Sequence, residues 1–169
     1  MPAALPPLPD TAALATLLRE QLKQERQLIV SAYEKDRKPE RLLKAMRLAT
    51  DKVLIAAWKN FSMPASTTLI AVGGYGRGEL FPYSDVDLLI LLPQAPDSNL
   101  REILERLVQM LWDLGLEIGH SIRTVDECMT ESSADITVQT SLLEARRLCG
   151  NKTLFETLRE RFAQAMDSR

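Results

Sequence analysis

The sequence predicts an α+β fold: a small mixed sheet with flanking helices, preceded by a helical N-terminal segment. Three observations predict it. Apolar residues recur at intervals of three and four over the first third of the chain. Two short aliphatic runs, residues 68–72 and 86–92, then enclose a glycine-rich turn. Beyond them helical spacing alternates with further strand-like stretches, the pattern of helices layered on a sheet with a site at the strand ends.

Taken in order, residues 1–10 are proline-rich and are expected to be flexible. Leu14, Leu17, Leu18, Leu22 and Ile29 mark the first helix, with Asp10 or Thr11 as its cap. A charged break at 34–39 precedes a second helix to about Phe61, striped by Leu42, Leu43, Met46, Leu54, Ile55 and Trp58. The two helices form a segment, 11–62, expected to pack on a core of 63–169. Thr68–Val72 and Val86–Leu92 read as strands, with Pro93 ending the second. Residues 98–114 return to helical spacing under a Ser98 or Asn99 cap, and Trp112 is expected to plug the core boundary. Residues 117–124 read as a third strand, and 126–141 as helical near their start. Leu142–Leu148, closed by Gly150, is a fourth strand with a helix as competitor, and the tail from Thr153 is a helix.

Composition narrows the function. The 169 residues are 46% hydrophobic and 26% charged but only 5% aromatic, so the core is aliphatic. A net charge of −2 gives no case for binding nucleic acid. Cys128, Cys149 and the single histidine, His120, have no zinc-like spacing, and the cysteines read as free thiols. The N-terminus lacks signal-peptide features and no apolar run spans a membrane, so a cytoplasmic protein is expected.

One stretch carries chemistry. Asp85 and Asp87 lie two apart in an apolar strand, so both carboxylates project from one face. Two such anions repel unless solvent or a cation intervenes, and a divalent cation such as Mg²⁺ suits oxygen ligands. Gly73, Gly74, Gly76 and Gly78 follow directly on a strand and allow backbone N–H groups to face phosphate oxygens. Arg77 adds a forked phosphate donor and Ser84 a hydroxyl. In-line transfer at a nucleoside triphosphate needs this combination of phosphate cradle and metal seat. The pattern is neither a Walker loop nor a dinucleotide fingerprint, because no Gly-Lys-Ser/Thr occurs and a strand follows the glycines.

The glycine pair followed by Ser84, Asp85 and Asp87 resembles the DNA polymerase β-like nucleotidyltransferase superfamily. The longer string from Gly73 to Leu89, with Gly119–Thr124, Glu127-Cys128, Asp135–Val138 and Ser141–Arg146, is similar to the bacterial PII uridylyltransferase/uridylyl-removing enzyme family over roughly residues 12–165. The resemblance implies a polymerase β-like core, transfer of UMP from UTP to a tyrosine of the PII nitrogen-signalling protein, and a two-metal Mg²⁺ site. It also implies HD and ACT domains beyond the transferase region, so the chain is expected to be an N-terminal fragment. The superfamily adds a third carboxylate from a later strand. Glu144, flanked by Leu143 and Ala145, is favoured for that metal-binding and catalytic role, with Asp135 and Glu117 as competitors. A related transferase using another nucleotide or acceptor, or a nucleotide-binding regulatory module without turnover, are the alternatives.

Other residues keep two readings. His120 is either a substrate contact or a structural hydrogen-bonding group, Arg123 and Arg146 are triphosphate donors or ion-pair partners, and Tyr75 either stacks on a base or shapes the turn.

Overall fold

The structure is a computed structural model and describes residues 11–168. The expected flexible segment 1–10 and the Asp10 cap lie outside the described residues. Two long helices open the fold, α1 (Thr11–Asp36) and α2 (Pro39–Asn60). The break between them follows from local chemistry. Arg37 takes a positive φ of 54°, the Asp36 carboxylate accepts from the Lys38 N–H at 3.0 Å, and Pro39 opens α2, where its missing N–H does no harm.

Four strands form one sheet in the order β3-β2-β1-β4. β1 (Thr68–Val72) runs antiparallel to both β2 (Val86–Leu92) and β4 (Arg146–Gly150). β3 (Ile118–Thr124) is parallel to β2, and α4 (Ser98–Trp112) makes the crossover that a parallel pair requires. Gly73–Gly76 form a single helical turn, α3, directly off β1. On the other side of the sheet lie α5 (Val125–Ala134), α6 (Ile136–Leu143) and α7 (Lys152–Asp167).

The strands alternate between two buried clusters. Leu69, Ala71, Leu88, Ile90 and Leu92 join Leu18, Leu22, Met46, Val53, Leu54 and Leu107 of α1, α2 and α4. Ile70, Val72, Leu89 and Leu91 join Val125, Cys128, Leu142, Phe155 and Phe162 of α5 to α7. Both faces are therefore covered, which explains why β1 and β2 read as unbroken apolar runs rather than alternating ones. No helix among the described residues is long and apolar enough to cross a membrane.

Four expectations need correction. The fourth strand begins at Arg146, while Leu142 and Leu143 end α6. Leu142 is buried against the sheet as a helical residue, and the turn closes with the Ala145 N–H on the Leu142 carbonyl at 3.2 Å. Asp97, not Ser98 or Asn99, caps α4, accepting from the Leu100 N–H at 2.8 Å. Trp112 stays 53% exposed and so plugs nothing. Residues 126–141 are helical throughout their length except at Asp135, whose side chain accepts from the Thr137 N–H at 2.8 Å and starts α6.

Candidate active site

The site forms where β1 leaves the sheet and β2 enters it. Asp87 is paired with Val72 on one side and with Gly119 on the other. Asp87 lies on the face toward α5–α7 with Leu89 and Leu91, whereas Asp85, expected inside the strand, lies one residue before β2 begins, and its charge acts on Asp87 from the preceding loop. Both residues are exposed, unlike the aliphatic strand that follows. Burial, and then the neighbouring Asp85 charge, push the Asp87 carboxyl above its ordinary range.

Two glycines make room for that carboxylate. A Cβ on Gly119 would stand 2.7 Å from Asp87 Oδ1, too close for any side chain to be accommodated without movement. A Cβ on Gly73 would stand 3.4 Å from Asp87 Oδ2, and Gly73 has a φ of 62°, which L side chains rarely adopt. Asp87 opens into a cleft of 340 Å³ between the β2–β3 edge and α6, shared with Gly119, Ser121, Arg123, Thr137 and Ser141.

The other residues named from sequence divide by position. Gly74 lies by the Arg77 guanidinium, 3.4 Å from where its Cβ would be, and Arg77 pairs with Glu79 at 3.1 Å on the surface. Gly76 has a packing role: a Cβ there would overlap the Glu144 carbonyl and crowd the Ala71 carbonyl. Ser84 closes the loop before β2, its Oγ accepting from the Phe81 N–H at 3.1 Å.

Tyr75 and Arg146 are occupied structurally. Tyr75 is 1% exposed, and its hydroxyl donates to Asp51 of α2. Arg146 forks onto the same carboxylate at 2.7 and 3.1 Å, donates to the Tyr75 carbonyl at 3.2 Å and lies over the Tyr75 ring. Burial first, then the Asp51 charge, raise the Tyr75 hydroxyl far above its ordinary range. A neutral, enclosed tyrosine cannot stack on a base, and this three-residue knot ties the glycine turn to α2 and β4.

Glu144 is half-buried at the C-terminal cap of α6 rather than on a strand, and it does not line the Asp87 cleft. Among the described residues, no group of three or more His, Cys, Asp or Glu side chains is placed to hold a metal ion. Asp135 is engaged as the α6 cap. Glu117 immediately precedes β3, and its carbonyl accepts from the Val86 N–H at 2.8 Å. Extending the parallel register by one residue sets Glu117 beside Asp85. His120 is exposed at the cleft rim and meets Trp112 edge-on at 5.7 Å.

Gly119, Ser121, Thr137 and Ser141 lie in the strings that carry the resemblance, but the sequence reading assigned them no role, and the clearance at Gly119 and the shared cleft emerge only from the fold. The signal was the parity of β3: residues 119, 121 and 123 share the face of Asp87 once the parallel register is known.

A family model described as "Nucleotidyltransferase domain" matches residues 51–143. The chain belongs to the nucleotidyltransferase domain family. It is 51% identical over 171 residues to a "Bifunctional uridylyltransferase/uridylyl-removing enzyme" of Cupriavidus pinatubonensis, covering 99% of this chain and 20% of that protein. An enzyme of the same name from Burkholderia mallei is 56% identical over 128 residues, covering 76% of this chain and 15% of that one. The chain thus spans a fifth or less of the length of these curated relatives. A solved structure, "Crystal structure of the toxin-antitoxin with AMP-PNP", aligns at a TM-score of 0.44 and 16% identity over 70% of this chain and 87% of that one, a likeness too slight to support any inference. The α+β nucleotidyltransferase core preceded by a helical segment, expected from sequence, is the architecture observed.

Proposed function

We propose that this nucleotidyltransferase domain moves UMP from UTP to a tyrosine hydroxyl of the PII signalling protein, in the cytoplasm and with Mg²⁺. The observation that carries the reading is Asp87 in a cleft beside Gly73 of the glycine turn, with Asp85 two residues before it, in a chain about half identical to enzymes named uridylyltransferases. In the reaction the acceptor oxygen bonds to the α-phosphorus, the bond from that phosphorus to the β-phosphate oxygen breaks, and pyrophosphate leaves.

The donor set fits a hard divalent cation: two carboxylates two residues apart where β2 begins, one of them held above its ordinary proton affinity by burial and by the other's charge. Asp85 and Asp87 would hold Mg²⁺, which when bound neutralises phosphate charge. Glu144, at the α6 cap, and Glu117, next to Asp85 in the extended register, are the candidates for a third carboxylate. The Gly73–Gly74 backbone and Arg77 approach the phosphates from the turn. Arg123 adds a donor from β3: it lines the cleft, and no acid among the described residues forms an ion pair with it.

The test is incubation of the chain with PII, Mg²⁺ and each labelled nucleoside triphosphate in turn. Label from UTP should reach PII. Transfer from ATP but not from UTP would sink the uridylyl reading, and UTP binding without transfer would favour a regulatory module.

A further inference from the structure

A second cavity lies on the opposite side of the sheet from the Asp87 cleft. It measures 570 Å³, within the range of small-molecule sites and larger than the 340 Å³ cleft itself. One wall is α1, which turns Arg19, Lys23 and Arg26 toward it at helical spacings of four and three. The floor is apolar, with Leu22, Val30 and Leu114. Tyr83 closes the far side, its backbone at a positive φ of 69°, two residues before Asp85.

The charge distribution is one-sided. Among the described residues no acid lines the cavity, and none forms an ion pair with any of its three cations, although the chain as a whole carries a net −2. Arg26 is half-buried and its guanidinium lies 6.0 Å from the centre of the Tyr83 ring, and its Nε is buried without a hydrogen-bond partner among the described residues. Burial lowers its proton affinity, so the site holds positive charge at a cost that an anion would relieve. Gathering like charges around a concave apolar floor is unfavourable in isolation and favourable around an anionic ligand.

We propose that this cavity binds a small organic anion, a phosphate or carboxylate carried on an aromatic or aliphatic body, separately from the nucleotide cleft. The anionic group faces Arg19, Lys23 and Arg26, and the apolar body covers Leu22 and Leu114. A concave cavity with a floor favours a small molecule over an acidic protein surface.

The test titrates the chain with 1-naphthyl phosphate, inorganic phosphate and 1-naphthol, following backbone amides by NMR. Naphthyl phosphate should shift amides of residues 19–31, 82–83 and 114–115 and bind at least tenfold more tightly than either half alone. Lys23→Glu, an exposed change with no ion pair to lose among the described residues, should weaken it at least tenfold, Lys23→Arg should restore it, and Asp87→Asn should leave it unchanged. Shifts confined to the Asp87 cleft, an affinity indifferent to Lys23→Glu, or no shifts at millimolar probe would overturn the proposal. So would an acidic decapeptide that occupied the same amides while naphthyl phosphate did not.

Discussion

Asp87 sits where three constraints meet: a strand partner on each side, a second carboxylate two residues away, and two glycines that leave its oxygens room. Asp87→Asn removes a charge from an exposed position and keeps the shape. Transfer should fall by about a hundred- to a thousandfold, the scale of losing a principal electrostatic contact in the transition state, while the thermal midpoint holds or rises, because a repulsive pair has been relieved. Labelled-UMP transfer and a melting curve on the same preparation check both halves. Gly119→Ala makes a sharper test. Its methyl group must displace the Asp87 carboxylate, an exposed side-chain end that can swing aside, so transfer should drop more than tenfold while stability changes little. Wild-type turnover in that variant would mean that the Asp87 rotamer is not fixed by Gly119.

At the scale of elements, the Asp51–Tyr75–Arg146 knot joins α2, α3 and β4 around the glycine turn. Asp51→Ala strands both the guanidinium and the tyrosine hydroxyl. It should cost about 2–3 kcal/mol by denaturant unfolding, less than a fully buried pair because the charges keep some solvent. Tyr75→Phe should cost only about 1 kcal/mol, since Arg146 still satisfies Asp51. The same tyrosine predicts a pH dependence. Its folded-state affinity for the proton is raised, so its contribution is complete below the ordinary tyrosine value of 10.0 and is lost as pH climbs above it, when only the unfolded chain ionises. Wild type should lose about 1.4 kcal/mol per pH unit there relative to Tyr75→Phe; equal slopes between pH 9 and 11 would contradict the burial. None of this knot was legible in the sequence, because Asp51, Tyr75 and Arg146 are far apart in the chain and each is an ordinary residue locally. The helices and the first two strands were legible because apolar periodicity and unbroken aliphatic runs are local signals. The fourth strand was not. Leu142 and Leu143 are as apolar as a strand, and only the Asp135 cap and the burial of Leu142 against the sheet show that a helix claims them. Asp87 was readable as a polar interruption of an aliphatic strand, while Asp85 falls just before that strand and Gly119 required the β2–β3 register.

For the whole molecule, the question is whether the sheet can stand without its first two helices. The matched family segment begins at Asp51, inside α2, yet Leu18 and Leu22 of α1 and Met46, Val53, Leu54 and Trp58 of α2 share one buried cluster with β1 and β2. Each large apolar side chain buried in this way contributes roughly 1.5–3 kcal/mol. Six of them together match or exceed the roughly 5–15 kcal/mol by which a domain of this kind is stable. Residues 63–169 alone would also lose Asp51 from the knot around Tyr75. That piece should therefore fail to give a cooperative unfolding transition, although the cleft residues are all present in it. The thiols provide an independent readout. Burial pushes both Cys128 and Cys149 up to about 11, so in the intact chain a thiol reagent at pH 7.5 should react slowly, and the rate should climb with pH. In residues 63–169 both thiols should react within the time of mixing. Slow, protected thiols with a cooperative melt in the shortened chain would show that α1 and α2 are an appendage to the nucleotidyltransferase core rather than part of it.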